Sequence, residues 1–271
     1  MEAAGNEVWT LSRRRTHERA LEVDITDIGS VRRGVPVKSI DAIVHLAAHI
    51  PQPENTPDLL NCQAANFNST LNLLEFARDS GIMRFVYISS LSMFDESRDE
   101  TIHEDTVPSP TTDYSISKLA GEYLCRYYQS SCGMEVPVLR LGTIYGPGMS
   151  RSRMIHYFVE RCVKHEPFSV YKSNVQINVA HLMDAVNAIT AMLSAKPRTY
   201  HLATESFSKR GLVLAIRKAT NSRSAVTFDS DQPVALRRFA IGEMKSIMPS
   251  STGPFAAFED RIREYAAAIF E

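Results

Sequence analysis

The chain has 271 residues, 44% hydrophobic and 23% charged, with 30 Lys+Arg against 31 Asp+Glu and a net charge of -1. That length supports one large domain or two small ones around a sizeable core. The charge balance removes any global electrostatic case for nucleic acid or an anionic membrane, and no apolar run reaches the roughly 18 residues that span a bilayer.

The four cysteines, Cys62, Cys125, Cys132 and Cys162, form no Cys-x-x-Cys pair and read as the reduced thiols of a cytoplasmic protein. No positive region precedes an apolar stretch at the first residues, so no secretory signal is expected. His45 and His49 stand four apart with no third ligand in view, and no metal site is expected.

Along the chain, Glu7 to Leu11, Leu21 to Asp24 and Ala42 to Leu46 read as strands, the last after a turn at Ser39. Phe67, Leu71, Leu74 and Ala77 mark one buried face of a helix from Asn66 to Asp79, ended by Gly81. Arg84 to Ser90 is a β-branched and aromatic strand, Ser115 to Tyr128 a helix, and Val136 to Leu141 a further strand. Strands alternating with helices predict an α/β fold, a mostly parallel sheet covered by helices on both faces. After Tyr145-Gly146-Pro147-Gly148 the pattern changes to a helix over 151–163, a strand over 175–179 and a helix over 181–193, and beyond Lys196 the periodicity is mixed. A loop rich in Asp, Glu, Thr and Pro runs from Asp95 to Asp113, at the carboxyl end of a strand, where such folds bind ligands.

Tyr114-Ser115-Ile116-Ser117-Lys118 is the central chemical signal. A spacing of four places tyrosine and lysine on one helical face. A phenol ionises near pH 10, too high for a base at neutral pH, and a nearby ammonium favours its anion. Such a tyrosine can take a proton from an alcohol or give one to a carbonyl. By itself Tyr-x-x-x-Lys is common on amphipathic helices. Here Ser89-Ser90 ends a strand upstream, where a hydroxyl can donate to the same substrate oxygen. Three further segments fall in order around them: Asp41 to Ala48, Asn66 to Leu74, and Leu139 to Gly148.

With these segments the sequence resembles the NAD(P)-dependent epimerase/dehydratase family, the extended short-chain dehydrogenases, from about Gly5 to about Ile189. The resemblance implies a Rossmann-like domain over 1–148, with 175–195 returning to it, and a C-terminal substrate-binding region over 149–271. It implies Tyr114 as acid/base, Lys118 as the group that favours its anion and binds the nicotinamide ribose, and Ser90 as the hydroxyl that orients the substrate oxygen. Leu46, Ala47 and Ala48 match the strand end lying against the cofactor. Asp24, with Ile25, matches the acidic position that contacts adenine. Ser12 and Arg13 stand where relatives read the adenosine ribose. An arginine there, in the run Arg13-Arg14-Arg15, suits a 2′-phosphate, so NADP is expected, with NAD as the alternative. Ser90, Ser92 and Thr143 fall at substrate positions. Asn66 and Asp184 match structural positions of the family. A small-molecule substrate, a nucleotide sugar among the candidates, and a homodimer through the helix of Tyr114 complete the expectation.

Several residues depart from the family pattern. Phe94-Asp95 replaces its Tyr-Gly pair. Ser90-Leu91-Ser92 replaces the Thr-Asp-Glu of the 4,6-dehydratases, which argues against elimination of water by that route. Thr143 stands in place of an asparagine, and no arginine falls near Gln176 or Ile177. The Gly-x-x-Gly-x-x-Gly turn that cradles the pyrophosphate at a helix N-terminus has no counterpart. Glu7 to Leu11 aligns with the family's second strand, so the first strand, ordinarily central in the sheet, is expected to be missing. The same three residues serve an epimerase and a ketoreductase. A non-catalytic nucleotide-binding or interaction protein that kept the fold is the second reading, and a coding region that continues upstream of Met1 is the third possibility.

Overall fold

The computed structural model describes residues 1–2, 5–37, 40–52, 57–94, 101–230, 232, 236–248 and 257–269. The turn expected at Ser39, residue Asp95 and the first part of the 95–113 loop lie outside them. The chain divides into two compact units, one of Met1–Asp95, Val107–Arg140 and Ile189–Tyr200, the other of Glu96–Thr106, Leu141–Ala188 and His201–Glu271.

In chain order the elements begin with β1 (Thr10–Ser12), β2 (Ala20–Glu22), α1 (Ile28–Gly34), β3 (Ala42–His45), α2 (Leu59–Cys62), α3 (Ser69–Asp79) and β4 (Arg84–Ser90). They continue with β5 (Thr101–Ile102), α4 (Asp113–Cys132), β6 (Val138–Leu141), β7 (Thr143–Tyr145), α5 (Met154–Val163), β8 (Phe168–Val170), β9 (Gln176–His181) and α6 (Leu182–Met192). The last are β10 (Thr199–Leu202), β11 (Glu205–Ser208), α7 (Lys209–Ala219), β12 (Val226–Phe228), β13 (Arg238–Phe239), α8 (Gly242–Ile247) and α9 (Phe258–Ala268). The fold is α/β, with parallel strand pairs and helices. No described helix is long and apolar enough to cross a membrane.

In the first unit β3 and β4 pair in parallel, Ala42 opposite Arg84 through His45 opposite Tyr87, within a sheet ordered β10-β6-β4-β3. Phe85 and Tyr87 alternate with Val86 and Ile88 along β4, and all four are buried. Phe85, Tyr87, Leu73, Leu74, Phe76, Cys125 and Tyr128 belong to one core, against which Leu11, Leu21 and Ile43 also pack. β1 and β2 form a separate parallel pair. Among the described residues β1 pairs only with β2, and β3 only with β4.

Two expectations shift. The first strands sit at Thr10–Ser12 and Ala20–Glu22, shorter than and displaced from the expected 7–11 and 21–24. A two-stranded pair has only one ladder to extend it. The helix expected to open at Asn66 is the later part of a longer helical stretch. α2 leads through a π-helical turn, Gln63–Asn68, into α3, and Asn66 lies buried inside that turn. The stretch ends at Ser80, after which Gly81 takes φ +72, a conformation open to glycine.

The second unit contains the antiparallel pair β11-β9, the parallel pair β7-β9, and the short pairs β12-β8 and β13-β5. Its core gathers Ile155, Phe158 and Cys162 of α5, Leu212 and Ile216 of α7, and Phe258 and Ile262 of α9.

Candidate active site

α4 is fixed at its start by a capping box. Thr112 accepts from the Ser115 amide, and the Ser115 hydroxyl accepts from the Thr112 amide at 3.0 Å. Ser takes the role usually filled by Glu or Gln. The cap seats Tyr114, half-buried, in the first turn and Lys118 one turn on, where only 2% of its surface remains exposed. Burial lowers the Lys118 pKa to about 8, against the opposing influence of Cys125 and Glu122. Its ammonium lies 4.4 Å from the centre of the Tyr87 ring, and the Tyr87 hydroxyl donates to the Lys118 carbonyl oxygen at 3.3 Å. α4 packs on β4 and on the turn that follows it.

Ser90 ends β4 and caps that turn, accepting from the Ser92 amide and donating to Ser92 Oγ at 2.9 Å. Ser90 is half-buried and Ser92 exposed. The structure therefore places Ser90 and Ser92 at the end of the strand that carries Tyr87, beneath the helix that carries Tyr114 and Lys118.

Around this layer runs a polar frame. Asn66 accepts from the His49 amide at 2.6 Å, donates to the His49 carbonyl at 2.9 Å, and donates to Ser117 Oγ at 2.8 Å. It thus ties the segment after β3 to the residue before Lys118. The His49 ring meets Asp58 at 2.6 Å, and the Asp58 amide donates to Asp113 at 2.5 Å. The His45 ring goes elsewhere, to Thr70 Oγ1 at 3.1 Å. Among the described residues no group of three or more His, Cys, Asp or Glu could hold a metal ion. Arg140 and Glu122 form a two-pronged ion pair, at 2.9 and 2.7 Å, with both side chains at most 10% exposed. The Arg140 guanidinium lies 5.4 Å from the Phe94 ring centre.

Of the other expected cofactor residues, Ser12, Arg13, Asp24 and Ile25 belong to the β1–β2 pair and the turn after it, and Leu46, Ala47 and Ala48 follow β3. Ser12 ends β1 and donates to the Arg14 carbonyl, while Arg13, Arg14 and Arg15 face solvent. Asp24 follows β2. Hydrogen bonds from the Thr26 amide and hydroxyl hold its carboxyl below the usual range, with a smaller contribution from Arg13. The Ile25 carbonyl accepts from Asn72 at 3.0 Å, which ties this turn to α3. Leu46, Ala47 and Ala48 leave β3 as an exposed apolar strip, Leu46 at 58%. Thr143 lies in the second unit, exposed on β7 and opposite Val179 of β9.

Tyr87, Gly121 and the Arg140–Glu122 pair are singled out by no motif in the sequence. Gly121 carried a signal. A glycine within a helix destabilises it by about 1 kcal/mol relative to alanine and calls for a packing reason. A Cβ at 121 would meet the Tyr87 hydroxyl at 2.2 Å.

Residues 1–203 match the model of the NAD dependent epimerase/dehydratase family. A Bacillus subtilis (strain 168) protein described as an uncharacterized UDP-glucose epimerase, YtcB, is 31% identical over 187 residues, which cover 68% of this chain and 56% of that protein. The chain thus spans little more than half of that relative's length. The UDP-glucose 4-epimerase of Thermus thermophilus, solved in complex with NAD, superposes with a TM-score of 0.82 at 24% identity, over 99% of this chain and 93% of the other. RMD from Pseudomonas aeruginosa, solved with NADPH, superposes with a TM-score of 0.78 at 22% identity, over 90% and 86%.

Proposed function

Since the chain belongs to the NAD dependent epimerase/dehydratase family, we propose that it catalyses hydride transfer at a carbinol carbon of a sugar nucleotide or related carbonyl compound, with Tyr114 as acid/base. Bound nicotinamide supplies or accepts the hydride. Tyr114 gives a proton to the substrate oxygen when the carbonyl is reduced and takes it back when the alcohol is oxidised. Lys118, a buried cation one turn away, favours the phenolate and holds the ribose. Ser90, by turning its single O–H away from Ser92 Oγ, donates to the same substrate oxygen, and Ser92 borders it. Thr143 remains a proposed substrate contact on its sequence position alone.

The cofactor residues fit this reading in two respects. The exposed strip Leu46 to Ala48 offers an apolar surface at the carboxyl end of a parallel strand, where open α/β sheets bind ligands. Asp24, Ile25, Ser12 and Arg13 stand together at the β1–β2 corner for the adenosine half, with NADP as the proposed cofactor and NAD as the alternative. Relatives solved with NAD and with NADPH leave room for both.

The observation that carries the proposal is the nearly complete burial of Lys118 one helical turn beyond Tyr114. Lysine is almost never fully buried unless paired. The test is Tyr114→Phe, which keeps the ring and removes the titrating hydroxyl. Turnover of an accepted carbonyl substrate is expected to fall about 10²–10⁴-fold. Activity within about threefold of wild type defeats the assignment.

The second reading is a non-catalytic nucleotide-binding or interaction protein that keeps the fold; β1 and β3 share no ladder with each other among the described residues. Turnover of a carbonyl substrate with NADH or NADPH, measured beside titration with both, separates the two readings: the catalytic one requires binding and turnover, whereas a nucleotide-binding protein binds without turnover.

A further inference from the structure

We propose that Tyr87 is a positioning residue for Lys118: its ring seats the buried ammonium, and its hydroxyl pins the α4 turn from which the lysine projects. This deepens the catalytic reading above and rests on it for its functional consequence. Three separate observations meet at this side chain. Lys118 Nζ stands 4.4 Å from the Tyr87 ring centre, within cation–π range. The Tyr87 hydroxyl donates to the Lys118 carbonyl oxygen. The approach is possible only because residue 121, one turn beyond Lys118 on α4, has no Cβ to strike that hydroxyl.

The chemistry gives the seat a purpose. A lysine expected to bridge two ribose hydroxyls and stabilise a phenolate needs its three N–H donors free to point outward. A carboxylate partner would hold the charge but occupy those donors. An aromatic face attracts the charge through its quadrupole and accepts none of them at a fixed lone pair. Tyr87 is also held neutral. Burial, with Cys125 and Glu122 adding to it, raises its pKa well above the usual phenol value, so it serves as a ring and a donor rather than a rival acid. Among the described residues, the charged and titratable groups about Lys118 include His45 from β3, Tyr87 from β4, and Tyr114, Glu122 and Cys125 from α4 itself. His45 lies beside Tyr87 with ring centres 5.9 Å apart. It is uncharged near neutral pH because burial lowers its pKa to about 3.

The test follows Lys118 directly in the full chain carrying lysine labelled with ¹³C at Cε, the signal being assigned by its loss in Lys118→Met. In wild type the Lys118 ε-protons are expected upfield of the other lysines, displaced by the Tyr87 ring, with a titration midpoint of about 8. Tyr87→Leu should abolish the upfield displacement and lower the midpoint, since the charged form loses its attraction. It should also weaken NADH or NADPH binding by about tenfold, of the order of a desolvated cation–π contact. Tyr87→Phe keeps the ring and should restore the displacement and most of the affinity. Should Tyr87→Leu fail to fold, Tyr87→Phe and the wild-type displacement carry the test. An undisplaced Lys118 signal in wild type overturns the proposal. So does a folded Tyr87→Leu with wild-type Lys118 signal and cofactor affinity. Absence of any cofactor binding by wild type removes the catalytic reading instead, and the Lys118 signals then decide the seat alone.

Discussion

Lys118 keeps 2% of its surface and Leu46 keeps 58%, although both belong to the first unit and both are assigned to the same cofactor. The β4–α4 layer holds its functional groups by core packing, a capping box and a buried ion pair. The β1–β2 corner is a pair of three-residue strands whose arginines face water. The proton-handling half of the proposed site is thus built into the stability of the fold. The half that would read the adenosine end rests on local turns, such as the Thr26 bonds to Asp24, and can change without unfolding anything.

The largest effect that would sharpen this contrast concerns Arg140. Replacing it with methionine leaves Glu122 buried and unpaired, and removal of one partner from a buried pair destabilises by about 3–5 kcal/mol. Urea denaturation should show a loss of that size. Arg13→Ala, on the exposed corner, should stay within about 0.5 kcal/mol of wild type. Equal effects at the two positions would erase the distinction.

A second test uses acid. The unfolded chain protonates His45 near its ordinary value of 6.5, whereas the folded chain resists until about 3 because the ring is buried. Between those values the unfolded state binds the extra proton. The His45 contribution is therefore complete above about 6.5 and is lost as pH falls toward about 3, at about 1.4 kcal/mol per pH unit. The urea midpoint should drop more steeply between about pH 6 and pH 5 in wild type than in His45→Gln, since the glutamine has no proton to gain. Parallel curves would mean that the ring is hydrated.

The smallest effect belongs to the corner. Arg13, Arg14 and Arg15 should give tighter binding of NADPH than of NADH, and a charge-assisted contact of about 1.5–3 kcal/mol lost in Arg13→Ala should narrow that preference by roughly tenfold or more. Calorimetric titration with both dinucleotides measures it. Tighter binding of NADH by wild type would reverse the cofactor assignment.

The sequence made the layer more legible than the corner. Arg84 to Ser90 is one uninterrupted β-branched and aromatic run, and β4 has those limits. Tyr114 and Lys118 declare themselves by a spacing that a helix turns into adjacency. What stayed hidden is tertiary. Nothing near Tyr87 in sequence announces that it lies under Lys118, because the contact joins a strand to a helix much later in the chain. The π-helical turn at Gln63–Asn68 has no local mark either, since one extra residue in a turn leaves composition unchanged. β12 and β13, of three and two residues, are too short to display a period of two.

The missing Cβ at position 121 has a consequence for how this sequence can drift. Gly121 and Tyr87 divide one small volume between them, so neither position is free to change alone. A methyl at 121 would demand a ring without its hydroxyl, or a smaller side chain, at 87, and the surrender of that hydroxyl would release the helix turn above it. The two sites should therefore behave as a single inherited unit, in which a substitution harmful at one becomes tolerable once the other has moved first.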